Sequence, residues 1–217
     1  GQIVHGALAR FVSRIAAAPG GWPGAEAARE VWDEAAATAL AAQGPRPGLA
    51  AFWRPRLARI GTFVVQQEDS ARRDGGIAAS HTECDARFTL KRPGGQVVLK
   101  ARADRLDRLG DGSVTILDYK TGDPPKPADL ENGTAPQLPL EAALALQGAF
   151  DGLADVMQVR ALTYWKLTGG QDPGETRPML EEAAEIGELA SLSLDRLGQL
   201  VDRFLLGDAP FIARPHP

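Results

Sequence analysis

The chain has one cysteine, Cys84, among its 217 residues. A single thiol cannot form a disulfide within the chain. It also cannot supply the four thiolates of a cysteine-only zinc or iron–sulfur site. Scarcity of cysteine is compatible with a reducing compartment, so a cytoplasmic location is expected.

Long apolar runs and an excess of positive charge are also missing. No segment approaches the roughly 20 apolar residues that cross a bilayer, and the first residues lack the zones of a signal peptide, so no membrane contact is expected. The net charge of −4 disfavours binding of nucleic acid by bulk electrostatics alone. Acids clustered around cations would lower the net charge without repelling DNA everywhere, so the balance leaves a nucleic-acid enzyme possible.

The periodicity of apolar residues changes once along the chain. It predicts helices over 3–18, 25–42 and 49–73. The period of strands follows over 79–122, and the turn signals at 93–95 and 110–112 predict three antiparallel strands. A helix over 136–150, a strand over 156–167 and a long closing helix over 179–206 complete the pattern. Because a helix connects the third strand to the fourth, those two strands are able to run parallel.

The predicted fold class is therefore α/β, with a central mixed sheet of about four to five strands flanked by helices. Residues 1–217 are expected to form a single domain, with a helical lead-in over 1–76, a sheet core over 77–167 and a closing helix over 168–217. The chain begins inside a predicted helix and stops at "ARPHP". It is expected to be a domain cut from the carboxy-terminal part of a longer polypeptide.

The stretch "TILDYKTGDPP", residues 115–125, ends a predicted strand with an acid and a lysine. Strand alternation places Asp118 and Lys120 on one face and Tyr119 on the other. Asp104 lies on the neighbouring strand, and the turn at 110–112 is about midway between the two acids. The carboxylates are thus expected side by side, where a divalent cation such as Mg²⁺ would relieve their repulsion.

Lys120 would then stabilise charge on a phosphoryl oxygen or position the attacking water. A purely structural alternative pairs the two acids with the strand arginines Arg102, Arg105 and Arg108. The residue types alone leave both interpretations open.

The order of the motifs resembles the RecB-like branch of the PD-(D/E)XK nucleases. "ARADRLD", "ILDYKTG" and "QLPLEAA" match that branch's G-x-x-D-R-x-D strand, D-Y-K-T-G strand end and Q-x-x-x-Y helix start. An upstream G-x-x-x-H is matched by Gly1 and His5, and a glutamate that opens the preceding strand is matched by Glu83. Two positions depart from the branch: Ala101 replaces a glycine, and Glu141 replaces the tyrosine, so no role of that tyrosine is carried over.

The resemblance implies a restriction-endonuclease-like core and a site for Mg²⁺ or Mn²⁺. Metal ligands implied by it are His5, Asp104, Asp118 and the backbone carbonyl of Tyr119, with Glu83 as a further candidate. Asp104, Asp118, Lys120, Glu83 and Gln137 are the implied catalytic residues. For Gln137, three roles stay open: capping its helix, contacting DNA backbone, or holding Lys120.

The wider sequence is similar to the carboxy-terminal nuclease domain of the AddB family. This similarity implies a DNA exonuclease that digests a strand, expected to be single-stranded, during double-strand break repair with an AddA-like helicase subunit. No iron–sulfur cluster is expected, because the chain has only Cys84. The alternatives are a degenerate nuclease fold that guides DNA, and a stand-alone RecB-like exonuclease.

Several other histidines, arginines and tryptophans lie outside these motifs. His81 and His216 match no motif. Arg54, Arg56 and Arg59 form either a phosphate-binding helix face or solvated charge. The four tryptophans are expected to pack in the core or at an interface rather than stack on bases.

Overall fold

The computed structural model describes residues 1–19, 21–44, 46–73 and 76–212. The closing "ARPHP" with His216, and the helix-breaking positions Gly20, Pro45 and Gly75, lie outside the described residues. The elements in chain order are α1 (Gln2–Ala17), α2 (Ala25–Ala42), α3 (Pro47–Arg73), β1 (Ile77–Arg92), β2 (Gly95–Leu109), β3 (Val114–Lys120), α4 (Pro127–Glu131), α5 (Gln137–Leu146), β4 (Val159–Lys166), β5 (Glu175–Leu180) and α6 (Ala183–Leu200). A π-helical turn, Val201–Leu205, continues α6.

The five strands form one mixed sheet in the order β1-β2-β3-β4-β5. The β1–β2, β2–β3 and β4–β5 pairs are antiparallel, and β3 and β4 are parallel. The chain crosses over from β3 to β4 through α4 and α5, as a parallel pair requires. The predicted α/β fold with a mixed sheet is confirmed.

Both predicted turns lie where the sequence placed them. In the first hairpin Arg92 pairs with Gly95, so Pro93 and Gly94 form a two-residue turn. The second turn contains Gly112 at φ 84°, a left-handed conformation that favours glycine. There the Asp111 carboxylate accepts a hydrogen bond from the Ser113 N–H at 2.9 Å, which fixes the turn through a short polar side chain.

The two faces of the sheet bury two separate hydrophobic clusters. One cluster packs the sheet against α5 and α6 and includes Ile116, Leu138 and Tyr164. The other packs it against α1, α2 and α3 and includes Leu117 and Tyr119 of β3. Trp32 and Trp165 are buried in this second cluster, with Trp22 and Trp53 packed against it, so all four tryptophans serve packing. Strand β3 is thus packed on both faces.

The carboxy-terminal prediction was wrong in one respect. Residues 175–180 form β5, which pairs with β4 through contacts such as Leu162 with Leu180, and the closing helix begins only at Ala183. The segment "ETRPML" has few apolar residues and a proline, which is tolerated on an edge strand. Its strand character comes from the ladder with β4, so periodicity alone did not reveal it. The short helix α4 was also missed.

In the described ranges no helix is long and apolar enough to cross a membrane.

Candidate active site

The pairing of β2 with β3 brings the two predicted acids near each other. Arg105 pairs with Leu117 at the end of the β2–β3 ladder, and Asp104 and Asp118 are the next residues along the two strands. The backbone N–H of Tyr119 donates a hydrogen bond to Asp104 Oδ2 at 2.9 Å. Asp104 is therefore fixed to the strand that carries Asp118, as the hairpin pattern predicted.

His5 reaches this pair from α1, on the side of the sheet where Tyr119 is buried. His5 Nδ1 lies 3.3 Å from Asp104 Oδ1, and its ring meets the Tyr119 ring edge-on, with centroids 5.9 Å apart. The hydrogen bond to Asp104 raises the pKa of His5, against an opposing effect of burial. The Asp118 charge and the Tyr119 backbone carbonyl raise this pKa further.

On the other side of β3, Asp118, Lys120 and Gln137 form a polar triangle. The Asp118 side chain is only 2% exposed. Its Oδ1 accepts a hydrogen bond from Gln137 Nε2 at 2.5 Å, and its Oδ2 lies 2.6 Å from Lys120 Nζ without a hydrogen bond of good geometry. Burial raises the pKa of Asp118, the Lys120 contact opposes the shift, and the nearby Asp104 charge adds to it.

Gln137 contacts Lys120 as well: Lys120 Nζ donates to Gln137 Oε1 at 3.1 Å. Of the three roles that the sequence left open for Gln137, the geometry matches the one that holds Lys120. No side-chain capping bond is present at the start of α5, where the cap position is Pro136.

Glu141 is the residue that the motif comparison set aside and the structure places in the site. It follows Gln137 by one turn of α5, is 4% exposed, and accepts a hydrogen bond from Gln137 Nε2 at 3.1 Å through Oε1. Burial raises the pKa of Glu141 to about 8, with the charges of Asp118 and Asp104 adding to the shift. The available sequence signal was an acid four residues after Gln137, a spacing that brings two side chains together on one helix face.

Glu83 lies inside β1 rather than at its start. It is the one described non-glycine residue with a positive φ, 51°, and its neighbours pair with Arg105 and Ala103, on either side of Asp104. Its side chain is 41% exposed, with Arg102 Nη1 at 4.0 Å. Backbone strain of this kind is concentrated at functional sites.

A pocket of about 590 Å³ connects Glu83 with His5 and Asp104. Its lining includes His5, Asp104 and Glu83. Glu83 is thus brought to the rim of the same pocket as two of the predicted metal ligands. Asp118, Lys120 and Gln137 are not among the residues that line it.

The strand arginines do not pair with the two acids, so the ion pairs expected in the structural alternative are not formed. Arg102 pairs with Asp85 at 2.8 Å, and Arg108 pairs with Asp155. Arg105 is buried on the opposite face of the sheet, where its partners are Glu68 of α3 and Asp107.

Arg56 and Arg59 hold the chain between β4 and β5 in place. Arg56 donates to the Thr168 carbonyl at 3.0 Å and Arg59 to the Gly169 carbonyl at 2.8 Å. Each guanidinium group thus binds a backbone oxygen of this connection, a structural contact that the sequence did not reveal. His81 lies in β1 opposite Leu106, away from the polar triangle.

The donor set fits a hard divalent cation. One imidazole, two carboxylates and a backbone carbonyl are ligands that Mg²⁺ and especially Mn²⁺ accept, and Asp118 Oδ2 is buried without a hydrogen bond. As the side chains stand, no three histidine, cysteine, aspartate or glutamate residues in the described ranges are placed to hold a metal ion. In this arrangement His5 contacts Asp104, and the Lys120 ammonium lies against Asp118.

The fold and these residues define a class of protein: an α/β domain with two acids and a lysine on adjacent strands of a mixed sheet. The model of the PD-(D/E)XK nuclease superfamily matches residues 1–215, and the chain belongs to this superfamily. Members of this superfamily are generally metal-dependent nucleases that typically use Mg²⁺ or Mn²⁺.

Similar proteins match only part of the chain. An uncharacterized protein of Rickettsia bellii (strain RML369-C) is 33% identical over 69 residues, which are 32% of this chain and 8% of that protein. The uncharacterized protein RC0550 of Rickettsia conorii (strain ATCC VR-613 / Malish 7) is 42% identical over 48 residues, 22% of this chain and 6% of that protein. The matched segments are therefore a small part of these relatives.

A solved structure described as "Crystal structure of SSO0001" aligns with 77% of this chain and 70% of its own, at 19% identity and a TM-score of 0.32. A similarity at this level supports no conclusion about function.

Proposed function

We propose that this chain is a metal-dependent deoxyribonuclease domain of the RecB-like branch that hydrolyses phosphodiester bonds of DNA. The observation that carries the proposal is the contact between the members of the acid–acid–lysine set. Asp104 is tied to the backbone of β3 at 2.9 Å, and Lys120 lies 2.6 Å from Asp118. None of the three is neutralised by a structural arginine.

His5, Asp104, Asp118 and the Tyr119 carbonyl would hold the divalent ion, with Glu83 as a further candidate from the pocket rim. When bound, such an ion lowers the pKa of a water molecule and offsets negative charge on the phosphoryl oxygens.

The remaining chemistry belongs to the chain's own residues. Asp104 is oriented by two partners, the Tyr119 N–H and His5, which keep its carboxylate in place before any ligand arrives. The Lys120 ammonium is 30% exposed, so it can reach a phosphate while Gln137 holds it from one side. A preorganised cation at this position stabilises charge that develops on a phosphoryl oxygen.

The finer assignment is also a proposal. The ordered motifs from Gly1 to Glu141 and the "DYKTG" strand end support the RecB-like branch, and the wider sequence supports an AddB-like setting. In that setting the chain is one domain that digests a single DNA strand, as an exonuclease in double-strand break processing. An AddA-like helicase subunit would deliver the strand, which accounts for a net charge of −4 in a protein that acts on DNA.

One observation favours the alternative of a degenerate nuclease fold. Among the residues that the structure describes, no three metal-binding side chains are placed to hold an ion. The complete set of Asp104, Asp118 and Lys120 argues for catalysis instead, since a domain that only guides DNA has no need of an acid kept in a buried position, where its charge is disfavoured.

The decisive experiment is a cleavage assay on labelled single- and double-stranded DNA with Mg²⁺, Mn²⁺ or EDTA. Wild-type protein is compared with Lys120→Ala, Asp118→Ala and the control Lys91→Ala, which removes an exposed lysine near the far turn of the β1–β2 hairpin. Cleavage that needs metal, disappears in both site variants and persists in the control would support the proposal.

Persistent cutting by Asp118→Ala protein would refute the assigned site. If folded wild-type protein cuts nothing, calorimetry with Mn²⁺ separates the remaining cases. Metal binding that Asp118→Ala abolishes would indicate a site that needs its helicase partner, whereas no binding would indicate a degenerate fold. Cleavage by the isolated chain at the rate seen with a helicase partner would favour a stand-alone exonuclease.

A further inference from the structure

The side-chain amide of Gln137 has all three of its polar positions occupied by the site. An amide offers two N–H donors on Nε2 and an acceptor on Oε1. Nε2 donates to Asp118 Oδ1 at 2.5 Å and to Glu141 Oε1 at 3.1 Å. Oε1 accepts from Lys120 Nζ at 3.1 Å.

This pattern allows only one orientation of the amide. If it were rotated by 180°, Oε1 would face the two carboxylates of Asp118 and Glu141, and the NH₂ group would face the Lys120 ammonium. The contacts with Asp118 and Lys120 would then pair acceptor against acceptor and donor against donor. The observed orientation is thus selected by Asp118 and Lys120, and Glu141 accepts the second hydrogen bond of Nε2.

Among the described residues, the Glu141 side chain forms a hydrogen bond with Gln137 alone. Its side chain is buried beneath the site, and Oε2 has no hydrogen-bond partner. It lies on α5 in the same helical face as Gln137, four residues apart, where side chains meet. Burial of a carboxyl group with one oxygen left without a hydrogen bond costs folding stability. The contact with Gln137 is the one that Glu141 makes.

We propose that Glu141 is a positioning residue that fixes Lys120 and Asp118 through the amide of Gln137. The inference rests on the proposed nuclease function, and it deepens it by assigning a role at a position where the RecB-like branch has a tyrosine. The hydrogen bond of Glu141 is with Gln137, so its proposed effect on Lys120 and Asp118 passes through one amide group.

The test is a double-mutant cycle on cleavage rates at saturating metal. The variants are Glu141→Gln, Glu141→Leu, Gln137→Leu and the double variant Glu141→Leu/Gln137→Leu. Glutamine keeps an oxygen that accepts the Gln137 N–H, and leucine removes it at similar volume. We expect Glu141→Leu to lower kcat about five- to tenfold, the value of one hydrogen bond, with KM nearly unchanged. Glu141→Gln should cut close to the wild-type rate.

The coupling separates positioning from a general effect on folding. If Glu141 acts through Gln137, adding Glu141→Leu to Gln137→Leu costs no further activity. Losses that multiply in the double variant would overturn the proposal. A wild-type kcat in Glu141→Leu, or a loss in Glu141→Gln equal to that in Glu141→Leu, would overturn it as well.

A second measurement does not depend on activity. The side-chain amide signals of Gln137 in a ¹⁵N correlation spectrum are assigned by their loss in Gln137→Leu. We expect these signals to move to solvent-exposed values in Glu141→Leu and to stay in place in Glu141→Gln. Unmoved signals in Glu141→Leu overturn the positioning role. Moved signals in a protein that never cleaves DNA would sustain the positioning and overturn the nuclease function.

Discussion

Two mid-helix glycines should respond in opposite directions to the same change. In α3, a Cβ on Gly61 would lie 2.9 Å from Trp32 Cγ and closer still to two other ring atoms. In α6, a Cβ on Gly187 would meet no atom within 4 Å. Substitution by alanine adds the same methyl group at both positions. The difference between the two outcomes therefore measures the packing around Trp32.

The magnitudes follow from helix propensity and overpacking. Alanine in a helix interior is favoured over glycine by roughly 1 kcal/mol, so Gly187→Ala should raise the free energy of unfolding by about that amount. Gly61→Ala must displace a fully buried ring whose Nε1–H donates to the Leu57 carbonyl at 2.9 Å. Overpacking costs about 1–3 kcal/mol and exceeds the propensity gain. The variants should differ by about 1–3 kcal/mol, the overpacking cost at Gly61, because the propensity gain is common to both positions and cancels.

The assay is urea unfolding followed by tryptophan fluorescence and circular dichroism, with equal m-values as the check that only stability changed. Each kcal/mol corresponds to a shift in Tm of about 2–4 °C for a chain of this size. The background variant Trp32→Leu should remove most of the penalty of Gly61→Ala. A Gly61→Ala protein as stable as the wild type would refute the described packing of α2 on α3.

Three further predictions concern buried charges. Asp118→Asn should abolish metal-dependent cleavage. It should also raise the unfolding free energy of the metal-free protein by roughly 1 kcal/mol, because burial disfavours the carboxylate. Calorimetry in EDTA measures this change in unfolding free energy. Arg105→Met should lower that free energy by about 3–5 kcal/mol in urea unfolding, since Glu68 and Asp107 lose their buried partner. The pKa of Glu141, raised from 4.5 to about 8, means that the folded state retains a proton that the unfolded state loses. Stability from this group is full below pH 4.5 and disappears as the pH rises through 8, so Glu141→Gln should flatten the decline measured in EDTA.

Each of these has an outcome that contradicts it. An Asp118→Asn protein that melts below the wild type would show that the contacts of Asp118 outweigh its burial. A loss under 1 kcal/mol in Arg105→Met would indicate that water reaches the ion pairs of β2 and α3. An identical pH profile for wild type and Glu141→Gln would place Glu141 in contact with solvent.

The site residues differ in how far the sequence could identify them. Asp118 and Lys120 end one strand, and strand alternation puts them on one face whatever surrounds them. Asp104 follows from the turn at 110–112, because a short hairpin fixes which residues lie opposite. His5 is far away in sequence, and only the motif comparison linked it to the acids.

Arg105 shows where local pattern reasoning fails. It is adjacent to Asp104 in sequence, yet it points to the opposite face of β2 and pairs with Glu68 of α3. An ion pair between residues of α3 and β2 depends on how the helix packs on the sheet, which no local period encodes. For the same reason β5 was missed: its strand conformation depends on the ladder with β4.

By itself the sequence determined the first three helices, the two hairpin turns with their three strands, and the shared face of Asp118 and Lys120, because these depend on periods and turn residues within short segments. Only the tertiary structure decided that Lys120 is held by Gln137, that Glu141 lies buried beneath them, and that Gly61 accommodates Trp32. These contacts join side chains of separate elements. Their energies depend on distance and burial, which are set when the helices pack against the sheet.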